Sequence, residues 1–207
     1  MRIVLETRRP VRGARLCARF GLLLLLAHAS ALPAHASALA ARAHSVSVTV
    51  EDHEGVYSVR GAFEAPVPAG VAWSVLTDYD HIGAFVTSMR SSSIERRDGS
   101  RLLVRQEAQG GMFALRRRVH VLLKVREEPE RRISFTDVLG CDFRRYDGGW
   151  SVEPVGSGTS VRYELEARPV AAMPHVLGRA MLRRAAERLL EQVRGEMLRR
   201  AAAPRAR

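Results

Sequence analysis

The 207 residues leave room for one domain of ordinary size plus a segment outside it, and they carry 33 basic against 22 acidic residues, a formal charge of +11. That charge is not a nucleic-acid footprint: seven basic residues and one acid fall in residues 1–43, the remainder holds 26 basic and 21 acidic residues (net +5), and no basic cluster with interleaved aromatics occurs. Cys17 and Cys141 are the two cysteines, and Cys141 alone lies beyond the leading segment, which excludes an internal disulfide there and leaves the fold to its hydrophobic core.

Residues 1–19 hold six arginines and one acid, residues 20–32 read FGLLLLLAHASAL, and small-residue patterns follow at Ala34-His35-Ala36, Ala38-Leu39-Ala40 and Ala41-Arg42-Ala43. Positive, then apolar, then small is the order of an export signal, and the apolar run is shorter than the roughly 20 residues that span a bilayer. Cys17 precedes the run and is not placed for lipidation. The expected organisation is a cleaved signal over 1–43, one domain over 44–202 and a short disordered tail over 203–207, with the domain periplasmic or secreted.

VSVTV (46–50) and VYSVRGAFEA (56–65) alternate as two strands around EDHEG, with Val59, Gly61 and Phe63 on one face. The period then changes. PVPAGVAWSVL opens with two prolines and gathers Val71, Trp73, Val75 and Leu76 into a short amphipathic helix, and TDYDHIGAFV supplies a second. From residue 88 to about 168, alternation returns in six stretches divided by Asp98-Gly99, Gly110-Gly111, EEPER, Gly148-Gly149 and GSGT. One face collects Leu102, Val104, Val119, Val121, Leu123, Val125, Ile133, Phe135, Val161, Tyr163 and Leu165, and the other is charged. From Pro174 to about Arg200, Leu177, Met181, Ala185, Leu189, Val193 and Met197 recur every four residues, with Leu182, Ala186 and Leu190 widening a helical stripe. An antiparallel sheet with one charged face can bury its other face only against the helices. The expected class is α+β, a curved antiparallel sheet wrapped around the long C-terminal helix with a pocket between them.

This order of elements, with GAFEAPVPAGVAWSVLTDYDHIGAFVTSMRSSSI and DFRRYDGGWSVEPVGSGTSVRYELEARP, resembles the polyketide cyclase/dehydrase and coenzyme Q-binding proteins of the START-like (SRPBCC, helix-grip) superfamily over residues 55–200. Gly83 departs from the pattern, standing where members often carry a proline. The resemblance implies a deep hydrophobic cavity for quinones, lipids or polyketides. It implies no cofactor, metal or shared catalytic residue.

Within that frame Phe113, Phe143, Tyr146, Trp150 and Tyr163 belong on or near the inner face, as core or as cavity lining. Arg117 and Asp137 share the apolar face of their strands, where an unpaired charge is very costly. They either pair with each other, or a bulge turns Arg117 outward, or they orient the polar head of a ligand. Asp78 and Asp80 read as helix caps and His81 as exposed, because a metal site needs three or four convergent ligands and His44, His53, His120 and His175 are scattered. Cys141 reads as packing. Arginines 116–118 and Arg179, Arg183, Arg184 and Arg188 form a solvated face, secondarily a surface for transient contact with an anionic membrane. Two functions follow: an exported binding module for a quinone or lipid, or a cyclase/dehydrase in which Arg117, Asp137 and Tyr163 position a poly-ketone. Export favours the first, since carrier-bound polyketide intermediates are cytoplasmic.

Overall fold

Alternation of buried and exposed side chains runs through the middle of the chain, and each alternating stretch is a strand. The computed structural model describes residues 46–110, 117–171 and 174–203, which lie in one compact unit. Residues 1–43, the expected signal, and most of the expected tail lie outside the described residues. Among the described residues the order is β1 (Ser47–His53), β2 (Val56–Ala65), α1 (Ala69–Leu76), a 3-10 helix (Tyr79–Ala84), β3 (Met89–Asp98), β4 (Arg101–Gly110), β5 (Arg117–Glu128), β6 (Arg132–Asp137), β7 (Phe143–Val155), β8 (Gly158–Pro169) and α2 (His175–Ala202).

The strands form one antiparallel curved sheet in the order β1-β2-β8-β7-β6-β5-β4-β3. Neighbours from β3 to β8 are sequential hairpins, whereas β2 meets β8 across the whole meander, from Tyr57 opposite Ala167 to Ala65 opposite Thr159. On β8 the inner face buries Thr159, Val161, Tyr163, Leu165 and Ala167 while Arg162, Glu164 and Arg168 face water. The β1–β2 turn takes both central residues, Glu54 (φ 53°) and Gly55 (φ 79°), into the left-handed region, and the Asp52 carboxylate accepts the Gly55 N–H at 3.1 Å.

The long helix covers the inner face. It packs closely on β1 and β2 and against α1. Its buried ridge is Ala186, Leu190, Val193 and Met197, at steps of four, three and four. The stripe expected at uniform steps of four is corrected at two positions, Leu177 and Ala185, which are exposed. The reason is geometric: a turn holds 3.6 residues, so each step of four overshoots by about 40° and a long run rotates off the core. Leu190 sits directly above Gly61 of β2, where any Cβ would collide with its side chain. Leu190 is fully buried, and Leu190→Ala would cost about 2–5 kcal/mol.

Candidate ligand-binding site

Strand β7 lies between β6 and β8, so its inner face has no lateral opening. Val152 on that face is buried, yet nearer the start of the strand Trp150, Tyr146 and Phe143 are only partly buried while packing against the core. Their partial exposure leaves the inner face at the β7 start within reach of water, and that face is the candidate site.

Its aromatic lining is continuous along the sheet. Phe143 and Tyr146 have ring centroids 4.7 Å apart, Tyr146 and Phe135 5.9 Å, and Trp150 and Tyr163 4.6 Å. Such tilted pairs add to the stabilisation their buried area gives. Gly148 makes the arrangement possible: it stands opposite Phe135 on β6 and Leu165 on β8, and a Cβ there would lie 2.8 Å from the Phe135 ring. The bare backbone lets that ring lie flat over β7.

Tyr146 and Tyr163 flank Gly148 on this face, and their hydroxyls adjoin. Burial raises the Tyr146 phenol, helped by the Asp137 charge and partly offset by Tyr163. Burial raises the Tyr163 phenol well above its usual range, and the neighbouring Tyr146 hydroxyl adds to it. Both therefore keep their protons at neutral pH and can donate hydrogen bonds; neither is a base.

Asp137, at the end of β6, faces inward beside Leu123. Its carboxylate accepts three backbone N–H groups, from Leu122 (2.9 Å), Leu139 (3.0 Å) and Gly140 (3.1 Å). Those bonds give a half-buried acid three donors and fold the β6–β7 loop around it. Arg117 opens β5 opposite Gly110, but its side chain, and all of Phe113, lie outside the described residues.

The acidic pair in the second short helix is corrected. Asp78 stands at the N-cap position of the 3-10 helix but makes no side-chain cap; Oδ1 binds His81 Nδ1 at 2.7 Å and Oδ2 accepts from Arg200 Nη2 at 2.6 Å. Arg200 also donates to Glu196 (2.7 Å) and to the Ser74 carbonyl (3.1 Å), and lies over the Phe85 ring at 5.8 Å. Arg199 closes the cluster on Glu196 at 2.6 and 2.7 Å. Asp80 accepts the backbone N–H of Ile94 in β3 at 2.9 Å. Asp78 Oδ2 and Asp80 Oδ1 bind partners on other elements, so they clamp α2 and β3 to the short helices. His81 is exposed, as expected. Burial alone would raise Asp78, but hydrogen bonds from His81 and Arg200 outweigh it and hold the carboxyl below its usual range. The Arg199 hydrogen bond, opposed by burial and joined by Arg200, does the same for Glu196.

Two further placements differ from, or were missed by, sequence reasoning. Cys141 lies exposed in the β6–β7 loop as a free thiol, not in packing, because β6 ends at Asp137 and the loop turns at Gly140 (φ 67°) before it. Tyr79 and Glu127 meet in the interior: burial, followed by the Glu127 charge, raises the Tyr79 phenol strongly, and Arg97 approaches the other Glu127 oxygen at 3.5 Å. Only the apolar position of Tyr79 between two aspartates could have signalled its burial.

The sequence matches the family described as "Polyketide cyclase / dehydrase and lipid transport" over residues 65–194. No curated protein matches. Among solved structures, the Thermus thermophilus protein TTHA0849 is 23% identical, with 70% of this chain and 99% of that one covered at a TM-score of 0.61. The Zhui aromatase/cyclase from a Streptomyces species is 17% identical, with 72% and 97% covered and a TM-score of 0.62. A STAR-related lipid transfer protein from Xanthomonas axonopodis is 15% identical, with 74% and 98% covered and a TM-score of 0.58. At these identities the likeness is one of fold: an α+β, START-like helix grip. The match over residues 65–194 shows more, because it spans both short helices, the whole meander and the ridge of α2 as far as Val193, and on it the chain belongs to the polyketide cyclase / dehydrase and lipid transport family.

Proposed function

We propose that this is an exported START-like domain that holds a hydrophobic small molecule, a membrane quinone or lipid, between the inner face of its sheet and its C-terminal helix. The observation that carries the reading is the partial exposure of Phe143, Tyr146 and Trp150 on the inner face of an interior strand. Sites for apolar ligands combine an apolar, aromatic lining with a few polar groups, and here the Tyr146 and Tyr163 hydroxyls are the polar groups within that lining. The leading segment supports export. A ligand of this kind resides in a bilayer, so exchange involves transient contact with an anionic membrane surface.

The test is binding of the neutral apolar dye Nile red, with native mass spectrometry of protein purified from its own periplasm. Saturable dye binding is expected, displaced by a naphthoquinone or a phospholipid and weakened by Trp150→Ala. Absence of saturable binding, or binding indifferent to Trp150→Ala in a folded variant, would sink the reading.

A second reading is a cyclase/dehydrase-type enzyme using the same space. The observation favouring it is the pair of protonated phenols flanking Gly148, which suits hydrogen-bond donation to a ketone oxygen. It would require turnover of a poly-ketone that Tyr146→Phe slows while leaving substrate affinity largely intact.

A further inference from the structure

Five large hydrophobic residues are strongly exposed among the described residues, and four of them gather at one end of the molecule. Val138 (52% exposed) lies in the β6–β7 loop, Val170 (45%) follows β8, and Val176 (72%) and Leu177 (40%) open α2. The pairing of the sheet brings these three segments together. Phe143 at the start of β7 stands opposite Pro169 at the end of β8, and the Val170 N–H donates to the Asp142 carbonyl at 2.9 Å. Gly178, one turn into α2, packs on the Tyr57 ring, and Tyr57 stands opposite Ala167 near the end of β8.

Arginines stand among these side chains. Arg144, Arg168 and Arg179 are exposed and make no salt bridge among the described residues. Of the nearby acids, Asp137 is taken by three backbone N–H groups, Asp142 accepts the His120 N–H at 2.8 Å and Asp52 accepts the Gly55 N–H at 3.1 Å. The first turn of α2 contains no acid. Glu54, exposed in the β1–β2 turn, opposes this charge.

We propose that this end of the molecule, with Val138, Val170, Val176 and Leu177 as insertion points and Arg144, Arg168 and Arg179 around them, docks on an anionic phospholipid bilayer. A protein partner would be expected to meet a contiguous patch with aromatic anchors. Here the apolar tips are small, aliphatic and divided among three segments, with guanidinium groups between them, which suits shallow insertion beside phosphate head groups. The same end holds the start of β7, where Phe143 and Tyr146 reach solvent, so a docked domain would face its inner space toward the lipid. This placement rests on the proposed function, for which it supplies the surface where ligand passes.

The experiment is flotation of the full-length mature protein with phosphatidylcholine vesicles and with phosphatidylcholine–phosphatidylglycerol vesicles, alongside Nile red binding in vesicle-free buffer. Binding to the anionic vesicles is expected and should weaken as salt rises. The double variant Val176→Ser/Leu177→Ser and the double variant Arg168→Glu/Arg179→Glu should each lower the partition coefficient about tenfold or more, whereas Val155→Ser, at the opposite end of the sheet and 48% exposed, should not. All three should bind Nile red as the parent does. Equal flotation of parent and variants, or no flotation while Nile red still binds, overturns the docking surface and leaves the cavity standing. Flotation without Nile red binding upholds the surface and removes the cavity. A concentration-dependent dimer in sedimentation that Val176→Ser/Leu177→Ser abolishes assigns the patch to a second copy and overturns the proposal.

Discussion

The two ends of the C-terminal helix are held in different ways. The last three turns bury Val193 and Met197, and Glu196, Arg199 and Arg200 join Asp78 in a cluster that ties the helix to the short helices. The first turns expose Val176 and Leu177 and rest on the sheet chiefly where Gly178 meets Tyr57. A helix anchored at one end can be a structural lid over its sheet while its other end stays available for contact with something else. The family match ends at residue 194, so the carboxylate clamp, completed by Glu196 and Arg200, is partly outside the matched span.

The sharpest way to break this comparison is a matched pair of truncations. Met197→Ala removes a fully buried side chain and should cost about 2–5 kcal/mol, whereas Leu177→Ala should stay within about 0.5 kcal/mol of the parent. Equal losses in chemical denaturation would mean that both ends carry the fold.

A smaller effect sharpens the role of the clamp. Glu196→Gln or Asp78→Asn should each cost about 1.5–3 kcal/mol, the range for hydrogen bonds to charged groups. Both carboxyls are held below their unfolded values, so the stabilisation they give is present above the unfolded pKa of about 4. It is lost as pH falls below that, through the folded values. Melting temperature measured from pH 7 to pH 2 should therefore drop more steeply below about pH 4 in the parent than in the double variant. Parallel curves would show that the clamp contributes no pH-dependent stability.

The periodic part of this structure was legible in the sequence. Strands β3 to β6 and β8 follow from alternation, whereas the turn expected at Gly148-Gly149 is corrected: both glycines lie inside β7, and the chain turns at 138–142 instead. The inward set Val121, Leu123, Val125, Ile133 and Phe135 is the buried set. What escaped was long-range or geometric. Asp78 and Arg200 are 122 residues apart, and a carboxylate next to a short helix offers no sign that its partner lies on another element. The strand position of Asp137 was read correctly, while the loop that folds back to give it backbone N–H donors was not. Of the expected site residues, Phe143, Tyr146, Trp150 and Tyr163 come together with Phe135 in one aromatic lining, with Asp137 at its edge. Phe135 was visible as an inward residue, but its place depended on Gly148, which the sequence marks as a turn residue.

The pairing of β2 with β8 has a kinetic consequence. Tyr57 and Ala167 are 110 residues apart along the chain, and closing a loop of that length has an entropic cost that local hairpins avoid. The meander from β3 to β7 can assemble hairpin by hairpin, but α2 lacks its main seat until β2 has found β8. We therefore expect amide protection during refolding to reach β4–β7 before β1, β2 and α2, as pulsed hydrogen exchange would read; simultaneous protection would point to a single nucleus. A chain whose last step waits on its most distant pairing spends longer with the edges of β2 and β8 unpaired, the state in which strand edges are open to wrong partners.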